Sequence, residues 1–116
     1  MIRKLIKQTR TVRRYKENKH IETKQLRQLV DLARLGGSAS NGQPLKYMIV
    51  QEKKLRGRIF NHLKWAAYLK DWPGPAKGER PAAYIICILD RKRCKGTERE
   101  AYIDLGIATQ NLLLGA

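Results

Sequence analysis

Residues Gly36 to Pro44, Gly-Gly-Ser-Ala-Ser-Asn-Gly-Gln-Pro, constrain this chain more than any other stretch, because the hydrophobic period changes across them. Before them, Leu26, Leu29, Val30 and Ala33 recur at the i, i+3, i+4, i+7 spacing of one helix face. After them, Tyr47, Met48, Ile49 and Val50 run on without a polar break, as in a strand covered on both faces. The stretch between is small or polar and has almost nothing to bury. A polar loop pinned between two regular elements is where binding groups commonly sit. An ordinary helix-to-strand connection would read the same way. Gly36 and Gly37 are expected to close the helix through a left-handed turn, which glycine adopts without penalty.

The other elements follow from the same patterns. Ile2, Leu5 and Ile6 predict a short helix over 2–8, followed by irregular chain through Tyr15. The second helix is expected from about Glu22 to Leu35 and the first strand from Lys46 to Gln51. Leu55, Ile59, Phe60 and Leu63 mark a third helix, weakened by Gly57. A helical start is expected over Trp65 to Lys70, before Pro73-Gly74-Pro75 excludes any continuation. Pro81 opens the strongest strand, Ala82 to Asp90. Thr97 and Glu100 fit a capping box at the start of a last helix running to about Leu114. That helix is apolar nearly all round, which demands burial in a core or in a subunit interface. Asp104 stands on it as an isolated carboxylate.

At 116 residues the chain is read as one domain, residues 1–116. The net charge of +15 permits an anionic partner. The 25 lysines and arginines are spread along the chain, however, and a solvated basic surface accounts for them better than a nucleic-acid patch. Cys87 and Cys94 have neither metal-site nor disulfide-framework spacing. Cys87 reads as a small apolar strand residue, and Cys94 lies in the basic turn Arg91 to Lys95. No metal cluster, paired carboxylates or protein nucleophile is legible. The N-terminus lacks a continuous apolar region, and the run Ala82 to Leu89 is far too short for a membrane span, so a cytoplasmic protein without membrane contact is expected.

Three segments in order carry a family resemblance. They are Arg10-Thr11-Val12-Arg13-Arg14-Tyr15, then Ser38-Ala39-Ser40-Asn41-Gly42-Gln43-Pro44 after an intervening helix, then the apolar run from Asp104 to Leu114. Together they resemble the nitroreductase family of flavin enzymes. Its usual signature is Arg-Ser-x-Arg-x-aromatic, a helix, Pro-Ser-x-x-Asn-x-Gln-Pro-aromatic, and later a central helix. The resemblance implies an α+β fold with a central, mostly antiparallel sheet flanked by helices. It also implies an intertwined homodimer with a flavin at each end of the interface. Family chains continue beyond the central helix, whereas this sequence stops at Ala116, so the fold is expected to be incomplete at the C-terminus and the chain truncated.

The implied chemistry is that of an FMN-dependent oxidoreductase. Electrons would pass from NAD(P)H through the flavin to a small-molecule acceptor such as a nitroaromatic or a quinone. No residue is expected to be catalytic in its own right, because the cofactor carries the reaction. Arg10 and Arg13 match the family's phosphate- and ring-contacting cations, and guanidinium groups pair bidentately with phosphate oxygens. Thr11 replaces the family's serine and keeps its hydroxyl. Thr9 stands where many members have a further arginine, a departure that would weaken phosphate binding unless Arg14 compensates. Ser38, Ala39 and Ser40 match the loop that reaches the partner's flavin. Asn41 and Gln43 would serve the ribityl chain or the loop's own backbone. Gly37 and Leu45 replace the family's proline and aromatic residue, so a looser loop is expected. The segment Tyr68 to Trp72 falls where the family places groups against the ring's pyrimidine edge, and Lys70 would stabilise the anionic reduced flavin there. A basic nucleic-acid-binding or regulatory module without flavin chemistry is the alternative, and a steep loss of duplex affinity with salt would distinguish it.

Overall fold

The computed structural model describes residues 1–116. Its helices are α1 (Ile2–Gln8), α2 (Thr23–Arg34), α3 (Lys53–Phe60) and α4 (Glu98–Gly115), and its strands are β1 (Leu45–Val50) and β2 (Tyr84–Leu89). Single 3-10 turns occupy Ala39–Asn41 and Arg91–Arg93. The two strands pair with each other, and the Asp90 N–H just past β2 donates to the Pro44 carbonyl just before β1 at 2.8 Å. The end of one strand therefore lies beside the start of the other, an antiparallel pair. The fold is α+β, as expected. No helix is long and apolar enough to cross a membrane.

The chain divides into two compact units, one of Met1–Thr9, Glu22–Ile49 and Ile85–Ala116, the other of Arg10–Ile21 and Val50–Tyr84. The first is built on α2 against α4. Leu26 and Ala33 on α2 and Ala101 and Ala108 on α4 are their buried apolar residues. Three of these are alanines, which let the two backbones approach closely. The capping box at the start of α4 forms, with Thr97 Oγ1 accepting from the Glu100 N–H at 3.3 Å and Glu100 Oε2 from the Thr97 N–H at 2.9 Å. Asn111 Nδ2 adds a bond to the Leu32 carbonyl at 3.1 Å.

The second unit gathers around Trp65. Tyr15 meets its ring edge-on at 6.2 Å between centroids, and Phe60 lies at 5.9 Å. Gly74, at φ 107°, is required there because a Cβ would stand 2.8 Å from the Trp65 ring. Arg56 ties α3 to the following chain through the Gln51 carbonyl at 2.9 Å and the Pro81 carbonyl at 3.1 Å. The Tyr15 N–H bonds the Glu79 carbonyl at 2.8 Å.

Three local expectations are corrected. Trp65 to Lys70 forms turns and no helix, with Ala66 at φ 33°; docking the Trp65 ring among Tyr15, Phe60 and Gly74 outweighs the weak local propensity. Gly36 and Gly37 do not take the left-handed conformation. Instead the Gly36 N–H closes α2 with a tight bond to the Ala33 carbonyl at 3.1 Å. Finally, the strands are not covered on both faces, and on α4, where burial in a subunit interface remains the open expectation, Tyr102, Ile103, Ile107 and Leu113 are exposed within the single chain. Met48 and Ile88 on the strands are likewise exposed.

Candidate functional site

In the first unit the loop from Gly36 to Pro44 is held from several directions. Gly36 passes so close to α4 that a Cβ would stand 2.9 Å from Ile107 Cγ2, and a Cβ on Gly42 would stand 2.8 Å from the Arg93 carbonyl. Asp104, buried on α4, accepts the Ala39 N–H on its two carboxylate oxygens at 3.2 and 3.3 Å. Ser38 Oγ accepts the Gln43 N–H at 3.0 Å, and Asn41 Oδ1 accepts from Gln43 Nε2 at 2.9 Å. Ser40, Asn41 and Gln43 all have positive φ, at 51°, 50° and 49°. Side chains other than glycine persist there only when their surroundings over-determine the backbone, and such strain clusters at ligand-binding sites. The loop is thus firmly held despite Gly37 and Leu45, because Asp104 and the Ser38 and Asn41 side chains act as its braces.

The loop borders a cleft of about 280 Å³ to which Tyr47, Arg93 and Asp104 also contribute. Of the expected contact residues, Ser38 and Gln43 line this cleft. Asn41 and Ser40 are exposed, and the Ser40 hydroxyl makes no hydrogen bond within the chain. Asn41 and Gln43 spend part of their amide capacity on each other.

In the second unit, Arg10 and Thr11 are exposed and make no side-chain hydrogen bond or ion pair. The Arg13 guanidinium donates to the Tyr68 hydroxyl and sits 5.6 Å from that ring's centroid, an arrangement that fixes its direction. The Tyr15 hydroxyl closes the same segment by donating to the Val12 carbonyl at 2.9 Å. Arg14 forms an exposed ion pair with Glu79 at 3.7 Å. Thr11, Arg13 and Arg14 line a shallow cleft of about 450 Å³ together with Leu69 and Trp72. Lys70 follows Leu69 directly, is exposed, and makes no hydrogen bond or ion pair. The Thr11 hydroxyl and the Arg13 guanidinium line this cleft together and are donors of the kind a phosphate group takes, whereas Arg10 is not among its lining residues.

A sequence profile of the nitroreductase family matches residues 6–116. The chain belongs to the nitroreductase family. The solved structures it is similar to carry the same fold. A candidate NADH oxidase from Clostridium acetobutylicum is 26% identical, with a TM-score of 0.75 over 97% of this chain and 61% of that one. A candidate nitroreductase from Desulfovibrio desulfuricans, solved in complex with FMN, is 22% identical, with a TM-score of 0.78 over 99% of this chain and 61% of that one. A nitroreductase family protein from Clostridium novyi is 20% identical, with a TM-score of 0.75 over 99% and 63% of the two chains. The chain thus spans about 61% of the length of the first of these structures. Among proteins of curated function, none matches the sequence significantly.

Sequence reasoning missed the loop-bracing role of Asp104 and the Arg13-orienting role of Tyr68. Tyr68 had no signal, because its partner Arg13 lies 55 residues away. Asp104 had one: it falls in register with Ala101 and Ala108, the buried residues of α4. A carboxylate on the buried line of a helix needs a donor from another element.

Proposed function

We propose that this chain is the flavin-binding part of an FMN-dependent oxidoreductase, passing electrons from NAD(P)H to a nitroaromatic, quinone or similar acceptor. The observation that carries the reading is family membership over residues 6–116, which includes the Arg10–Arg13 segment. Arg10, Thr11 and Arg13 would hold the phosphate, with Tyr68 keeping the Arg13 guanidinium in a set direction. Ser38, Ala39, Ser40, Asn41 and Gln43 would present a strained, braced loop to the cofactor. Lys70 would favour a reduced, negatively charged ring through its ammonium charge. When bound, FMN supplies the two-electron chemistry, and the chain contributes binding, orientation and electrostatics.

The same proposal includes a homodimer and a cytoplasmic setting. The exposed apolar side chains of α4, Ile103, Ile107 and Leu113, support an interface between copies of the chain.

Titration of the full chain with FMN, followed by flavin absorption and fluorescence, tests the reading. A red-shifted, quenched flavin is expected. Arg10→Ala and Thr11→Val are each expected to weaken binding by about tenfold, the effect of losing a hydrogen bond to a charged group. Absence of binding, or variants that bind FMN as tightly as the parent chain, would refute the assigned site.

A further inference from the structure

The second unit holds another cleft, of about 370 Å³, that the flavin reading leaves unused. Four cationic side chains line it, Lys53, Arg56, Lys77 and Arg80, against a single carboxylate, Glu17. That carboxylate is already engaged, accepting the backbone N–H groups of Gly78 and Arg80. The lining is therefore strongly positive, and its one internal counter-charge is partly spent on the backbone.

The two arginines differ in a telling way. Arg56 is anchored by its bonds to the Gln51 and Pro81 carbonyls, so its guanidinium forms a fixed wall. Arg80 stacks on Phe60, with Cζ 3.9 Å from the ring centroid, and its side chain makes no hydrogen bond or ion pair. Its Nε is fully buried and has no acceptor. A buried N–H without an acceptor is costly and calls for an explanation, such as an ion or water, although Trp65 Nε1, outside this cleft, is in the same state. The Tyr84 phenol belongs to the same surroundings. Burial raises its pKa, while the nearby Arg56 and Arg80 charges oppose that shift. The volume lies at the low end of ligand sites, about 300–1,000 Å³, which suits a mononucleotide or something smaller.

We propose that this cleft binds a phosphate group, either free or carried by a small organic anion, with Arg80 and Lys77 as the principal donors and Arg56 as the rigid wall beside them. The Arg80 guanidinium is held flat by Phe60 before any ligand arrives, so little of its freedom is lost on binding. Lys53 and Lys77, both exposed, add flexible ammonium groups to the lining. None of these side chains belongs to the Arg10, Thr11, Arg13 set, so this proposal and the flavin reading can fail separately.

Isothermal titration of the full chain at low salt tests it, with pyrophosphate, inorganic phosphate and adenosine monophosphate as separate arms. At least one arm is expected to bind. Arg80→Gln should then weaken that binding by about tenfold or more. Lys77→Ala, an exposed change that leaves the packing of Phe60 untouched, should weaken it by about threefold. Lys24→Ala, which removes a charge from α2 instead, should leave it within about twofold. Tighter binding of adenosine monophosphate than of the inorganic anions would support a nucleotide as the ligand, and the reverse would support a free phosphate. If no arm binds, or if the Arg80 and Lys77 variants bind like the Lys24 variant, the proposal is overturned. If Arg80→Gln does not fold, Lys77→Ala against Lys24→Ala decides.

Discussion

Asp104→Ala removes the brace between α4 and the strained loop. The carboxylate is only 6% exposed and receives the Ala39 N–H at 3.2 and 3.3 Å on its two oxygens. A hydrogen bond to a charged acceptor contributes about 1.5–3 kcal/mol. Relief of burying a carboxylate that has no cationic partner offsets part of this, leaving a net loss of about 1–2 kcal/mol. With a urea m-value of about 1.5 kcal/mol/M for a chain of this length, the unfolding midpoint should fall by about 1 M. Asp104→Asn keeps one carbonyl oxygen for the Ala39 N–H but loses the charge, so about half that fall is expected. Urea unfolding of the three proteins by circular dichroism reads both effects, and amide exchange at Ala39 should quicken in the alanine variant. A midpoint for Asp104→Ala within about 0.2 M of the parent would refute the brace.

Gly36→Ala should destabilise by about 1–3 kcal/mol in the same assay, because its Cβ would meet Ile107 Cγ2 at 2.9 Å and the Ala33 carbonyl at 3.2 Å; Ile107→Ala should restore most of the loss by opening that space. Ser40→Gly should be neutral or stabilising by up to about 1 kcal/mol, since φ 51° costs glycine nothing; a clear destabilisation would show that the hydroxyl holds the loop. Alkaline stability follows from Cys87, whose thiol burial pushes up from its ordinary 9.0, and from Tyr47, raised first by burial and then by the Cys87 charge. Both folded values lie above the unfolded ones, so the unfolded chain gives up protons first. Stability is complete below about pH 9 and falls as pH rises through the raised values. Urea melts at pH 8 and pH 10 should show the drop, and Cys87→Ala should make it shallower.

Much of the local architecture could be read directly. The period-3.6 stripe on α2, the apolar run of β1 and the Thr97 and Glu100 capping box depend on neighbours within a turn or two, and they form with boundaries close to those expected. Readings that depended on distant partners fared differently. The Trp65 segment looked mildly helical, yet its ring is used by Tyr15, Phe60 and Gly74. The Gly36-Gly37 pair looked like a left-handed cap, yet Gly36 is needed for the approach of Ile107. The site shows the same division. Arg10, Thr11, Arg13 and the Ser38 to Gln43 loop were legible as ordered motifs, while the positive φ angles and the internal bonding of the loop were not.

The sequence by itself determined the four helices and two strands, because side-chain periodicity and caps act over a few residues, but not the fate of the Trp65 segment. It also determined the family, because three motifs stand in order along the chain. Tertiary structure alone decided that Asp104 braces Ala39 across 65 residues and that Arg13 is oriented by Tyr68 across 55. It alone left the Arg80 Nε buried without an acceptor. Those outcomes depend on packing and on the requirement that each buried polar group find a partner, and neither is visible until distant segments meet.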